Sequence, residues 1–333
     1  MGKADKFHAL ILIMKKTSLG TCSLLALLLS LHPLSAQDDG KPYRNLTTSI
    51  PKLKTAPVID GKVEASEWAG AAMTPRMLSS TEDHLSEMRQ KFYWAVTDDG
   101  LYLAYQIQRP PAAIAPAAYN VEHDTTFGPT DDVLEFWLDA INDLKRPVDN
   151  YRDFYFIWNL FGTKYDRMDR DGPDTRWDPN WQVVSRVVPD FGWEGEIYIP
   201  FKDLLDTVPP KTGDEWRGCL VSNQRTPFPH LLYSAWSMQW SANEDFMRML
   251  FSGISNPFVR VLESGMDNET RKGGAVFEIV NPGAEPQKVP MKLRLYRRKD
   301  EAKSPLSYLR AFEQTRDKGG SSDAGKAAAG MLQ

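Results

Sequence analysis

Between Val58 and Gly253 the chain alternates apolar and polar residues with a period of two, and all ten of its tryptophans fall inside that stretch. A period of two marks strands with one face buried, and helical spacing is scarce. Phe92, Trp94 and Val96 alternate with Tyr93 and Ala95. Asp98-Asp99-Gly100 then supplies a tight turn, and Leu101, Leu103, Tyr105 and Ile107 alternate on the return, which predicts a hairpin. Further along, Leu134, Phe136 and Leu138 are set against Glu135 and Trp137, and Phe154, Phe156 and Trp158 against Tyr155 and Ile157. Trp193, Ile197 and Ile199 are set against Glu194, Glu196 and Tyr198; Pro200 closes that strand, and Phe201–Leu205 reads as one short helical turn. Short strands separated by long loops predict an all-β fold, an antiparallel β-sandwich of jelly-roll or immunoglobulin-like kind. The loops Pro110–Pro129 and Met168–Asn180 are longer than connection requires, which makes them places to expect binding.

Residues 1–36 read as a signal peptide. Lys15 and Lys16 precede the nearly all-apolar Ser23–Leu34, and Leu34-Ser35-Ala36 offers a small-residue cleavage site. The expected destination is the periplasm, the cell surface or the exterior. That apolar run is too short to span a bilayer, and no membrane span is expected in the mature chain. Residues 37–51 form a polar linker or N-terminal arm, and 52–256 the sandwich. Residues 257–300 read as a partial second β domain or extension, with strands in FVRVLES, GGAVFEIVNPG and VPMKLRLYRRKD and an NPG turn between them. Residues 301–333, rich in Lys, Ala, Gly and Ser, read as a flexible or partly helical tail. A formal charge of −4 argues against nucleic acid as a partner. After signal removal only Cys219 remains, so no internal disulfide is expected and Cys219 reads as a small buried hydrophobe.

Six segments, taken in order, resemble family 9 carbohydrate-binding modules and the related DOMON-like domains. They are VIDGKVEASEW, WAVTDDGLYLAYQI, DDVLEFWLDA, YRDFYFIWNLFGTKYD, WEGEIYIPFKDL, and WRGCLVSNQRT followed by SAWS, together covering roughly residues 52–254. The resemblance implies a β-sandwich that binds a polysaccharide or oligosaccharide, often beside glycoside hydrolase domains and sometimes with structural calcium. Sugars present C–H-rich faces and many hydroxyls, so a site needs aromatic planes plus Arg, Asn, Asp or Glu. Asn223, Arg225 and Trp236 fit that palette and match the family's ligand-side segment, the alternative being that Arg225 pairs with an interior carboxylate such as Glu135. Known binders sandwich the sugar between two tryptophans; here Phe127 stands in the loop before Asp131-Asp132, while Trp177 and Trp181 sit in the polar loop RWDPNWQ. Trp94, Trp158 and Trp193 read as core, and Trp68 as a plug at the sandwich end.

Asp132 and Glu135 differ by three along a strand and so point to opposite faces, which does not suit a glycosidase acid/base pair. Calcium ligation, ion pairing with Arg, or a hydrogen bond to the ligand remain open for Asp131, Asp132 and Glu135. Asp60, Asp131 and Asp132 are the metal-ligand candidates, for calcium, among further loop carboxylates at Asp98, Asp99, Asp166, Asp169 and Asp171. The three histidines of the mature chain, His84, His123 and His230, show no zinc spacing such as HExxH. The leading expectation is an exported, non-catalytic carbohydrate-binding module. The alternatives are a glycoside hydrolase, a haem-binding DOMON-like electron-transfer domain using His84 or His123 with a Met, and an adhesion or assembly domain.

Overall fold

The structure is a computed structural model. It describes residues 47–74, 77–79, 89–109, 111, 114–125, 131–140, 153–169, 173–205, 207–224, 232–235, 246–254, 256–267 and 272–283. In chain order the strands are β1 (Thr47–Pro51), β2 (Ala72–Thr74), β3 (Leu78–Ser79), β4 (Gln90–Val96), β5 (Gly100–Gln108), β6 (Val133–Asp139), β7 (Asp153–Trp158), β8 (Lys164–Asp169), β9 (Pro173–Asp174), β10 (Gln182–Val188), β11 (Gly192–Pro200), β12 (Glu215–Gln224), β13 (Leu232–Ala235), β14 (Met247–Ser252), β15 (Phe258–Asp267) and β16 (Lys272–Val280). The long sheet runs β1-β14-β12-β6-β7-β8-β9, with β13 and β3 continuing beside β12; the short sheet runs β10-β11-β5-β4-β2. Among these strands β1 and β14 pair in parallel, and the remaining pairs are antiparallel.

The two sheets form a β-sandwich, and the alternation predicts its interior. Phe92, Trp94, Leu103, Tyr105, Trp193 and Ile197 of the short sheet share one buried cluster with Leu134, Phe136, Phe154, Phe156 and Trp158 of the long sheet. The Trp94 ring lies 5.4 Å from Phe136, and Tyr105 lies 6.1 Å from Trp158. Both are tilted pairs, the geometry aromatic quadrupoles favour. The hairpin at residues 98–100 forms as expected, closed by the Thr97 amide donating to the Gly100 carbonyl at 3.0 Å.

One ion pair spans the two layers. The Arg109 guanidinium, at the end of β5, donates to Asp132 Oδ2 at 3.0 Å and to Gln224 Oε1, and the Arg109 and Asp132 side chains are fully buried. Arg109 follows the end of β5, the central strand of the short sheet, whereas Asp132 precedes β6 and Gln224 ends β12 in the long sheet. The Ala117 amide also donates to Asp132 Oδ2 at 2.8 Å, and the Asp132 amide returns a bond to the Ala117 carbonyl. The arrangement ties the 114–125 segment to the same point.

The outer face of the short sheet is covered by the chain's own N-terminal segment. Trp68, Ala71, Leu53, Ile59 and Val63 pack on Ala95, Tyr102 and Ala104. Trp68 therefore lies over a sheet face; the expectation that it plugs the sandwich end is corrected. The clasp is Glu196 on β11. Its carboxylate accepts the Asp60 and Gly61 amides at 3.1 Å each and the Trp68 indole N–H at 2.8 Å. Gly61 has φ of +82°, and a Cβ there would meet Val184 Cγ1 at 2.8 Å. The Asp-Gly turn, the following Trp and the Trp-x-x-Glu strand are thus one interaction written in three places.

The described part of the C-terminal extension is the β15–β16 hairpin. Arg260 fastens it to the sandwich by donating to the Ala71 carbonyl at 2.7 Å and to the Trp68 carbonyl at 3.1 Å. β15 and β16 pair antiparallel, and Asn281-Pro282-Gly283 follows β16, at the end of the GGAVFEIVNPG segment where the sequence reading has it. The expected strand at VPMKLRLYRRKD lies outside the described residues, as do residues 1–46 and 301–333.

Arg109→Met takes the Arg109 guanidinium away from the buried Asp132 carboxylate, so it should lower folding stability by roughly 3–5 kcal/mol in urea titrations. An effect below about 1 kcal/mol would deny the pair its structural role. Burial pushes the Glu196 carboxyl up to about 7 from its ordinary 4.5. The folded state therefore holds that proton more tightly than the unfolded chain, so this group stabilises the fold most below its ordinary value of 4.5 and loses the contribution as pH rises through about 7. Glu196→Gln should remove on the order of 2 kcal/mol of the stability difference between about pH 5 and about pH 8. Equal slopes in both proteins would contradict this.

Candidate functional site

The long sheet's second face points away from the other sheet, and there the alternation places a different chemistry; Cys219 and Val221 are buried on it in a cluster with Phe246, against which Trp137 packs. Register sets Cys219 of β12 beside Trp137 of β6, Trp137 beside Tyr155 of β7, and Tyr155 beside Arg167 of β8. The next row is Val221, Glu135, Ile157 and Tyr165. Directly opposed residues in antiparallel strands share a face, so both rows lie on one surface.

Aromatic planes layer along the first row. Trp137 and Tyr155 stack with centroids 3.9 Å apart at 29°. The Arg167 guanidinium lies 5.2 Å from the Trp137 ring and 4.8 Å from that of Tyr155, and Tyr165 meets Tyr155 edge-on at 6.2 Å. Arg167 also donates to Asp169 at 3.2 Å, which fixes the guanidinium over the rings.

Polar groups converge beside the stack. The Tyr155 hydroxyl donates to Glu135 Oε2 at 2.5 Å, and the Asn223 amide N–H donates to Glu135 Oε1. Burial pushes the Glu135 carboxyl up, against the Tyr155 hydrogen bond and the Arg167 charge, which pull it down. Burial pushes the Tyr155 hydroxyl up as well, reinforced by Glu135. Trp137 Nε1 and Asn223 Oδ1 are buried and have no hydrogen-bond partner. A buried donor and a buried acceptor left open on one face carry an energetic penalty.

Of the residues the sequence nominates, Glu135 and Asn223 meet here and bond each other. Trp236, Arg225 and Phe127 lie outside the described residues. Trp177 and Trp181 are not stacking surfaces: they are 8% and 1% exposed. Trp177 packs on Phe154 and Phe156, and its indole N–H donates to the Asp203 carbonyl at 3.0 Å. Trp181 packs on Phe156 and Trp158. The polar loop lays them into the core edge because two indole rings bury more apolar area there than any contact on the open loop provides.

Asp132 pairs with Arg109 in the interior; Arg225, expected as a partner of an interior carboxylate such as Glu135, lies outside the described residues. Glu135 and the sealed Asp132 do not face a common cleft, which agrees with the opposite-face reading.

The calcium ligands expected at Asp60, Asp131 and Asp132 do not form one site. Asp60 belongs to the cover of the short sheet, where Oδ1 accepts the Lys62 amide at 2.8 Å. Asp131 Oδ2 accepts the Tyr119 and Asn120 amides and the Asn159 amide side chain, at 3.2, 3.1 and 2.9 Å. These oxygens, like those of Asp132, face N–H donors. Calcium needs six to eight oxygens around one point. Asp98 and Asp99 are likewise engaged, by Lys52 and by Thr97 and Tyr198. An open cleft beside them is lined by Asp99, Tyr198, Phe201 and Lys202. It lies at the short sheet's turn and lacks the aromatic rows of the long sheet.

Trp137, Tyr155, Tyr165 and Arg167 are the site residues that sequence reasoning misses. Their signal is present in the alternation itself: the residues opposite the core set on β6, β7 and β8 are aromatic or ionisable in a way a merely solvated face does not require.

No protein-family model matches the chain, and no curated protein matches it. Among solved structures it is similar to a family 9 carbohydrate-binding module from Caldicellulosiruptor kristjanssonii in complex with cellotriose, at 16% identity and a TM-score of 0.45, over 64% of this chain and 95% of that one. A family 9 module from the same organism in complex with glucose is similar at 17% identity and a TM-score of 0.45, over 62% of this chain and 97% of that one.

Proposed function

We propose that the chain is a non-catalytic carbohydrate-binding module of an exported protein, and that a polysaccharide or oligosaccharide lies against the outer face of the long sheet. The observation that carries this reading is the Glu135–Asn223 pair set beside the Trp137–Tyr155–Arg167 row. Aromatic planes suit the C–H faces of a sugar, and the carboxylate, amide and guanidinium suit its hydroxyls. The unpartnered Trp137 Nε1 and Asn223 Oδ1 supply one donor and one acceptor for those hydroxyls. Export rests on the leader-like residues 1–36. The segment that carries Arg225 and Trp236 resembles the ligand-side segment of family 9 modules, and both belong to the proposal on that ground.

Calorimetry with the purified chain against cello-, xylo-, manno- and starch-derived oligosaccharides should show saturable binding to at least one. Trp137→Ala and Glu135→Gln should each weaken it by at least about tenfold, or about 1.4 kcal/mol, with the melting temperature little changed. Failure to bind any of these sugars or insoluble polysaccharides would sink the reading. Release of reducing sugar that disappears in Glu135→Gln would replace it with a glycoside hydrolase.

A further inference from the structure

On the core side of β8, away from the proposed sugar face, sits a carboxylate whose surroundings do not account for it. Asp166 is directly opposed to Phe156 in the register and is fully buried. Its Oδ2 accepts the Trp181 indole N–H at 2.7 Å, while its Oδ1 is buried with no hydrogen-bond partner. One neutral N–H at 2.7 Å and a His123 contact at 3.5 Å, both on Oδ2, do not compensate a buried carboxylate whose Oδ1 is left open. His123 and Asp124 complete the surroundings, and the three side chains offer ligand atoms that all lie within 4.8 Å of one another.

The loop that brings them there is firmly held. Asn159 and Thr163 donate to the Asn120 carbonyl at 2.8 and 2.7 Å, and the Asp124 amide donates to the Lys164 carbonyl at 3.0 Å. These bonds fix residues 120–124 against the turn between β7 and β8. His123 Nε2 then lies 3.3 Å from Asp124 Oδ1 and 3.5 Å from Asp166 Oδ2. Both separations are long for an N–H···O hydrogen bond. They match the spacing of about 3.3 Å between neighbouring ligands of a tetrahedral ion with bonds near 2.0–2.1 Å.

We propose that His123, Asp124 and Asp166 bind a divalent transition-metal ion of the zinc class, a site separate from the carbohydrate face. One imidazole and two carboxylates neutralise a doubly charged ion, and a nitrogen ligand selects zinc-like metals over calcium, which takes oxygen. The His123 and Asp124 side chains are 40% and 34% exposed, so water from that side can complete the coordination. The Trp181 N–H takes the outer-shell role of holding a ligating carboxylate in place. Burial pushes the Asp166 carboxyl up to about 6 when its neighbours are only protein groups. A bound cation would reverse that direction.

Calorimetry on the full chain should show one Zn²⁺ bound with micromolar or tighter affinity, and Co²⁺ should give visible d–d absorption of tetrahedral strength. His123→Ala removes a partly exposed side chain that the fold does not need; it should weaken Zn²⁺ binding by at least about a hundredfold and abolish the Co²⁺ bands. Asp166→Asn should do the same, and His123→Ala keeps the test decisive if that variant fails to fold. No Zn²⁺ binding at millimolar concentration, Zn²⁺ binding unchanged in His123→Ala, or a stronger response to Ca²⁺ than to Zn²⁺ would each overturn the proposal.

Discussion

The buried Arg109–Asp132 ion pair sets the alignment of the two layers. Arg109 enters from the short sheet and meets Asp132 and Gln224 of the long one, with both charged side chains shut off from water. Hydrophobic contact between sheets is nearly indifferent to small slides, because any apolar surface satisfies any other. A buried charge is not indifferent: it is tolerated only with its partner at hydrogen-bond distance. The pair therefore fixes where β6 and β12 lie against β5, and through Ala117 it fixes the loop as well. The outer rows of the long sheet inherit their positions from that anchor.

The two outward faces are treated in opposite ways. The short sheet's is closed by the chain's own segment, held through one carboxylate on β11 and an Asp-Gly turn. The long sheet's carries a stack of rings and a bonded Glu–Asn pair, with one indole N–H and one amide oxygen unanswered. A sandwich with one face spent on stability and the other on side chains with open valences is a scaffold with an orientation. Nothing on the covered face offers the same combination among the described residues.

Much of the architecture was legible in the chain. The period of two assigned Trp94, Trp158 and Trp193 to the core, located the 98–100 turn, and put Glu135 on the face away from Leu134 and Phe136. Loop tryptophans were less legible, because sequence shows that Trp177 and Trp181 lie outside regular strands but not which way the loop turns them. The partner of an interior carboxylate was hidden for a related reason: Arg109 and Asp132 are brought together by sheet packing, and spacing along the chain carries no trace of it. Asp60, Asp131 and Asp132 looked alike as loop oxygens. Their different fates follow from the backbone amides each one faces, which only the fold reveals. His123 and Asp166, 43 residues apart, share the same opacity.

The row formed by Cys219, Trp137, Tyr155 and Arg167 has one more consequence. Each of these residues alternates along its strand with a residue of the core, so inward and outward positions are separate alphabets written on the same four strands. Substitutions on the outward alphabet leave the volume between the sheets untouched, and that face can diverge while the sandwich stays constant. The same geometry forbids gradual change by sliding. A slip of one residue in β7 would turn Tyr155 toward the other sheet and Phe156 away from it, exchanging the two faces along the whole strand. New specificity in such a sheet has to arise by replacing side chains in place, with the strand register held as an inherited constant.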